Sequence, residues 1–266
     1  MVSQIITKLG GFMPTIAFPA EMKAGEKRCS LLPVNVKAYK LLGAKVLIEA
    51  GLGQHIDVYD DEYVAAGATI AANRSELLQQ GDIILSLHKL GGEEVTELKQ
   101  DALIVSYLDP FNEPGFVDTL CSKGVTSISM EMIPRISRCQ KMDALSSQAS
   151  LAGYVMVMQA VNTLPSVLPM MMTPAGTLKP AKVFIIGAGV AGLQAIATAK
   201  RLGASVTAFD TRAVVAEQVR SLGAKFLDID LGETSETGQG MPRRSRPSRW
   251  PFSKKSKPNA SPIQIL

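Results

Sequence analysis

The feature that most restricts what this chain can become is an apolar run that breaks into three spaced glycines. It reads Lys182-Val-Phe-Ile-Ile-Gly187-Ala-Gly189-Val-Ala-Gly192, then an alanine-rich stretch, then Ala204-Ser-Val-Thr-Ala-Phe-Asp210. The β-branched opening has the length of a strand, the alanine-rich stretch that of a helix, and a second strand follows. Between a strand and a helix, Gly187 permits a tight turn, Gly189 lets a pyrophosphate approach the backbone, and Gly192 allows the helix to pack close. The first N–H groups of that helix, and the positive end of its dipole, favour phosphate. Three glycines at this spacing are weak evidence alone. Here a strand precedes them, a helix follows, and an acid stands 23 residues beyond Gly187, so the segment reads as a dinucleotide-binding turn. Asp210 ends the second strand, where a carboxylate accepts both ribose hydroxyls and repels a 2′-phosphate. NAD(H) is therefore favoured over NADP(H), although Arg212, two positions on, could pair with such a phosphate.

The rest of the chain agrees with a parallel α/β architecture. Strand-length runs at Thr15 to Phe18, Lys45 to Glu49, Asp82 to Leu87, Ala102 to Leu108 and Val125 to Met130 alternate with helical patterns. The latter are Val34 to Leu42, Asp61 to Ala66, Arg74 to Gln79, Glu93 to Gln100 and Glu113 to Lys123. A long helix is expected from Asp143 to about Leu164, stopped by Pro165 and Pro169. After a loop from Met172 to Pro180, Ala181 to Leu227 reads as a βαβαβ unit, one half of a nucleotide-binding sheet. The expected fold is α/β with two parallel-sheet, Rossmann-like domains. The first spans 13–142; the second, at 143–231, is incomplete; a basic tail without apolar period, 232–266, should be disordered.

Composition narrows the class. With 46% hydrophobic and 20% charged residues among 266, the chain is an ordinary globular protein with enough length for two cores. Cys29, Cys121 and Cys139 are odd in number and far apart, which fits a reducing compartment and gives no disulfide framework or zinc spacing. Met1 to Gly11 does not compose a targeting leader, and no apolar run reaches membrane-spanning length. The formal charge of +4 conceals an asymmetry: Met241 to Leu266 holds seven basic residues and no acid, which leaves the first 240 residues at −3. The tail could be read as a nucleic-acid patch, but it has only Trp250 and Phe252 for stacking and matches no recognition module, so no nucleic-acid partner is expected. Its abrupt onset near Gly240 suggests a frame shift or an aberrant end of the coding sequence.

A second constellation lies where the first sheet hands over to the long helix: Pro134-Arg135-Ile136-Ser137-Arg138-Cys139-Gln140-Lys141-Met142-Asp143-Ala-Leu-Ser146-Ser147-Gln148. Asp143 with Ser146 or Ser147 suits simple helix capping. Two arginines, a glutamine and an aspartate in one connection between α/β units would also suit a ligand cleft. His55 and His88 lack companions at metal-ligand spacing, so no metal site is expected. Met170 to Met172 read as core or adaptable packing.

Four stretches together resemble the NAD(H)-binding domain I of the proton-translocating NAD(P) transhydrogenase alpha subunit. These are Glu131-Met-Ile-Pro-Arg-Ile-Ser-Arg138, Met142-Asp-Ala-Leu-Ser-Ser-Gln-Ala-Ser-Leu-Ala-Gly-Tyr154, Met170-Met-Met-Thr-Pro-Ala-Gly176, and the glycine turn with its helix through Ala204. The resemblance covers about Pro14 to Asp230. It implies hydride transfer from NADH to NADP+ coupled to proton movement, with the NADP(H) site and the membrane helices on partner domains or subunits. It also implies a homodimer that is cytoplasmic or peripheral at the inner face of a membrane. The family's polar loop maps onto Arg135, Gln140, Asp143 and Ser146: the resemblance implies that the glutamine orients the nicotinamide near the second nucleotide, while the other three hold its carboxamide and ribose-phosphate by hydrogen bonds. Ile136, Ser137, Lys141 and Met142 complete that stretch, and Gly187, Gly189, Val190, Gly192, Asp210, Thr211 and Arg212 match the family's diphosphate and adenosine contacts. No side chain is implied as acid or base, because hydride transfer is the cofactor's own chemistry. The chain is also similar to alanine dehydrogenase, where Arg28 matches an arginine that binds the substrate carboxylate. At the positions of that enzyme's substrate lysine and catalytic histidine, however, this chain has His88 and Asp109. A non-catalytic nucleotide-binding remnant is the remaining alternative.

Overall fold

Six short strands, each parallel to its neighbours, form the first sheet of the computed structural model, which describes residues 13–229 and 263–265. They are β1 (Thr15–Phe18), β2 (Lys45–Ile48), β3 (Thr69–Ile70), β4 (Ile83–His88), β5 (Leu103–Tyr107) and β6 (Thr126–Ser129), in the order β3-β2-β1-β4-β5-β6. Because side chains alternate across a strand, β1, β2 and β4 feed two cores. Ile16, Phe18, Val46 and Ile48 pack on one face with Val36 of α1 (Pro33–Leu41) and Tyr63 of α2 (Asp60–Ala66). Ala17, Leu47, Ile84 and Ile104 pack on the other. There they meet Leu77 and Leu78 of α3 (Arg74–Gln80), Val95 of α4 (Gly92–Glu97) and Leu120 of α5 (Pro114–Lys123). Burying a side chain such as Phe18 contributes about 2 to 3 kcal/mol. Tyr63 is fully buried, and its hydroxyl donates to Leu31 O at 2.8 Å, which removes the cost of an orphaned donor.

Local signals set the helix ends. Pro33 occupies the first turn of α1, where its missing N–H costs nothing. Asn73 caps α3 by accepting Glu76 N at 2.8 Å, and Glu76 reaches back to Ala72 N at 2.9 Å. Gly67 ends α2 with a φ of 100°, a conformation that a side chain would strain. The strand order reverses between β1 and β4, so the loops after these two strands leave the sheet in opposite directions.

The chain divides into two units, Met1–Met142 and Asp143–Leu266. The second opens with α6 (Ala144–Thr163), which stops before Pro165. A hairpin follows, β7 (Met171–Thr173) paired antiparallel with β8 (Gly176–Leu178). Then come β9 (Lys182–Ile186), α7 (Val190–Arg201), β10 (Ser205–Phe209), α8 (Ala216–Ser221) and β11 (Lys225–Phe226). β9, β10 and β11 pair in parallel, and their apolar residues close a core with α6, α7 and α8 that includes Val157, Val183, Ile185, Ile196, Val206 and Val219.

The structure departs from the sequence expectations at three places. β3 has no counterpart among the expected strands: Thr69–Ile70 is two exposed residues, too short to display an alternating pattern. The expected loop after α6 contains the β7–β8 hairpin, and its methionines are not core. Met170 and Met172 are 63% and 84% exposed, because a two-stranded ribbon has no second layer to bury them. Ile263–Ile265, inside the tail expected to be disordered, forms β12 and pairs in parallel with β9, giving the order β11-β10-β9-β12. Three residues are too few to show periodicity, yet a strand beside a parallel edge gains ladder hydrogen bonds. The remainder of that tail lies outside the described residues. β12 occupies the position a doubly wound sheet gives its fourth strand, so the strand order of this sheet reverses at β9.

α6 and α7 approach closely at one point. A Cβ on Gly153 would lie 2.1 Å from Ala191 O, so no side chain fits without separating the helices. Gly153→Ala is expected to destabilise the second unit by about 1 to 3 kcal/mol. Gly115→Ala, whose added Cβ meets nothing within 4 Å, should not lower stability. Urea denaturation of both variants beside the parent checks this.

Candidate functional site

The glycine turn is built as its sequence demands. β9 ends at Ile186, and Gly187 takes a φ of 94° while its N–H donates to Phe209 O at 2.8 Å, joining the turn to the end of β10. A Cβ on Gly192 would lie 1.8 Å from Gly187 O, so the first turn of α7 sits directly against the loop and tolerates only glycine there. Gly189 differs: it is exposed, and an added Cβ would meet nothing within 4 Å. The loop thus has one glycine for backbone conformation, one for helix contact and one that leaves open space at the start of α7. Val190, the first residue of that helix, is 37% exposed. A cradle with exposed backbone ahead of a helix N-terminus fits a diphosphate.

Asp210 is brought onto this turn. Its side chain is only 6% exposed. Oδ2 accepts the N–H of Ala188, between the first two glycines, at 2.7 Å. Oδ1 accepts the N–H of Arg212 at 2.8 Å and its Nε at 3.1 Å, and a terminal guanidinium nitrogen of Arg212 donates to Oδ2 at 3.2 Å. Burial alone would raise the pKa of this carboxyl. The side-chain and backbone hydrogen bonds from Arg212, with that from Ala188, outweigh it and hold the group below its ordinary value. Thr211, between them, is half-buried. The acid expected to meet a ribose therefore stands, ionised, at the glycine turn itself.

The second constellation divides between the units. Arg135, Ile136, Ser137, Gln140, Lys141 and Met142 close the first unit as exposed residues, and Ser137–Met142 forms a 3-10 turn. Asp143 opens the second. Its Oδ1 accepts Ser146 N at 2.8 Å and its Oδ2 accepts Ser146 Oγ at 2.6 Å, while Ser147 Oγ donates to the Asp143 carbonyl at 3.0 Å. Asp143 and Ser146 thus cap α6, and capping holds both at its first turn. Further along, Ser150 Oγ stands 3.5 Å from Gln194 Oε1 of α7.

In the first unit a polar cluster follows β1 and β4. Glu26 grips Arg28 as a fork, with Nε donating to Oε1 at 2.8 Å and a terminal nitrogen to Oε2 at 2.6 Å. His88 Nε2 is 2.8 Å from Glu26 Oε2. The Arg28 side-chain bond, helped by that of His88, drives Glu26 far below the carboxylate range against its partial burial. Glu21 receives the N–H groups of Leu87 and His88 at 2.6 and 3.1 Å. Asp109 accepts Asn112 Nδ2 at 2.9 and 3.1 Å, and its own N–H donates to Glu131. Arg28 therefore already holds a carboxylate from its own chain. Sequence reasoning singled out Arg28 but missed Glu26, although a glutamate two residues before an arginine in a loop was a legible sign of such a pair.

The alanine dehydrogenase/PNT N-terminal domain matches residues 17–152, and the alanine dehydrogenase/PNT C-terminal domain matches residues 156–257. The chain belongs to the alanine dehydrogenase/PNT family. Within it, an NAD(P) transhydrogenase subunit alpha protein of Rhodospirillum rubrum is 44% identical over 232 residues, covering 85% of this chain and 60% of that protein. An alanine dehydrogenase of Methanococcus maripaludis is 30% identical over 198 residues, covering 73% of this chain and 52% of the other. The crystal structure of transhydrogenase from Sinorhizobium meliloti superposes with a TM-score of 0.77 at 42% identity, over 80% of this chain and 64% of that one. The chain thus spans about 60% of the length of the Rhodospirillum relative. Among the described residues no helix is long and apolar enough to cross a membrane.

Asp210 gives the site a pH signature. Its folded pKa lies below the unfolded one, so its contribution to stability is complete above the ordinary aspartate range and disappears as pH falls through the folded value. Melting temperatures followed from about pH 6 down to about pH 3 should fall less steeply for Asp210→Asn than for the parent. Glu26 and Glu131, also lowered, keep part of the acid loss in both proteins.

Proposed function

We propose that this chain is the NAD(H)-binding component of a proton-translocating NAD(P) transhydrogenase. The observation that carries the reading is the Asp210 carboxylate on the N–H of Ala188, which sets a ribose-accepting acid at the glycine turn of a family member. The open backbone at Gly189 and the first amides of α7 would hold the diphosphate, and Val190, Thr211 and Arg212 would flank the adenosine. On the nicotinamide side, Arg135 and Gln140 would orient the ring and its carboxamide, Ile136, Ser137, Lys141 and Met142 would line the stretch between, and Asp143 and Ser146 would add hydrogen bonds at the start of α6. The bound dinucleotide supplies the hydride chemistry; these residues bind and orient. NADP(H) would sit on a partner domain or subunit, membrane-spanning partners would carry the proton, and the component would act as a homodimer, peripheral to the membrane.

The transhydrogenase relatives at 44% and 42% identity support this reading over an amino-acid dehydrogenase. So does the closed Glu26–Arg28 fork, which engages the guanidinium that a substrate carboxylate would need. A dehydrogenase would also need an acid/base pair, where this chain has His88 bonded to Glu26 and Asp109 bonded to Asn112.

Fluorescence titration with NADH tests the binding site. Asp210→Ala should weaken binding by about tenfold, equivalent to one charge-assisted hydrogen-bonded contact. Gln140→Asn should keep binding and lose hydride transfer to an added NADP(H)-binding partner. A parent protein that does not bind NADH, or that oxidises it with pyruvate and ammonia as an alanine dehydrogenase would, overturns the proposal.

A further inference from the structure

The carboxylate that would choose the ribose also holds the side chain best suited to a different nucleotide. A guanidinium is a planar fork that matches phosphate as well as carboxylate, so an arginine at the end of the second strand of a dinucleotide fold is a natural partner for a 2′-phosphate. Arg212 is such an arginine, yet its fork is turned onto Asp210: Nε lies 3.1 Å from Oδ1 and a terminal nitrogen 3.2 Å from Oδ2. The Arg212 N–H bonds Oδ1 as well, at 2.8 Å, so backbone and side chain of one residue close on one carboxylate. The anchor is the more buried member, with side-chain exposures of 6% for Asp210 and 22% for Arg212. Asp210 is fixed from the other side by Ala188 N at 2.7 Å.

This arrangement separates two ways of rejecting NADP(H). Repulsion between Asp210 and a 2′-phosphate needs nothing from Arg212. Engagement of Arg212 by Asp210 adds a second barrier, because a phosphate could take the Nε edge of the guanidinium only by displacing a shielded carboxylate. Resting on the reading of this turn as a dinucleotide site, we infer that Asp210 selects NAD(H) largely by keeping Arg212 engaged, and that Arg212 is a latent 2′-phosphate-binding residue. Loss of the carboxylate charge uncovers it. Asparagine is the suitable replacement, since its amide oxygen can still accept the N–H of Ala188 or Arg212 and preserve the turn, while its hold on the guanidinium is weaker.

The test is the intrinsic fluorescence of NADH and NADPH titrated against four proteins: the parent, Asp210→Asn, Arg212→Met and the double variant, each first checked for an intact melting transition. The parent should prefer NADH. Asp210→Asn should lose about tenfold in NADH affinity and gain about tenfold or more in NADPH affinity, a gain that shrinks as salt screens the guanidinium–phosphate pair. Arg212→Met alone should gain no NADPH affinity, and in the double variant the gain of Asp210→Asn should vanish. An Asp210→Asn protein that still binds NADH but gains nothing for NADPH overturns the inference, as does a gain that survives Arg212→Met, which would leave simple repulsion as the selector. If the parent binds neither nucleotide, it is the dinucleotide site itself that fails, an outcome distinct from both.

Discussion

The contact between the Asp210 carboxylate and the N–H of Ala188 is the tie on which the second unit's organisation turns. It joins the end of one strand to the loop leaving the next, and Gly187 N on Phe209 O fastens the same two strands beside it. Beside these bonds the helix after the loop begins directly against the turn: a Cβ on Gly192 would lie 1.8 Å from Gly187 O. A buried carboxylate needs compensation, which comes from two backbone amides and one guanidinium. The residues that shape the glycine turn are thus the ones that keep its acid charged.

Much of this was written plainly in the sequence. Three glycines with an acid 23 residues on give the turn, the acid and their adjacency, because the chemistry leaves few other uses for them. Five strands of the first sheet were legible from apolar or alternating stretches of four or more residues. β3 was not, being two exposed residues that owe their conformation to Leu47 and Ile48 alongside. The methionines of the hairpin misled because hydrophobicity says nothing about whether a second layer exists to cover them. Asp143 and Ser146 carried two meanings, ligand and cap; the capping geometry is plain in the structure, and capping does not exclude a second task.

The first unit uses the same architectural device to another end. Its strand order also reverses beside β1, and the loop after β1 returns across that point carrying Glu21, Glu26 and Arg28. In the second unit the loop at the corresponding point presents open backbone at Gly189. In the first, carboxylates meet the donors at that point: Glu21 accepts the amides of Leu87 and His88 at the end of β4, and Glu26 engages the side chains of Arg28 and His88. Both parallel sheets thus reverse their strand order, one beside an open glycine turn and the other beside a cluster of carboxylates.

The pairing of Ile263–Ile265 with β9 also decides which strand edges this sheet leaves open. It makes β9 an interior strand, flanked on both sides, instead of the border of its sheet. Stripped of that neighbour, Val183, Phe184, Ile185 and Ile186 would present a flat row of unmet amides and carbonyls on an apolar ribbon, the kind of template that recruits foreign strands. Covering that side of β9 is therefore left to three residues, Ile263–Ile265.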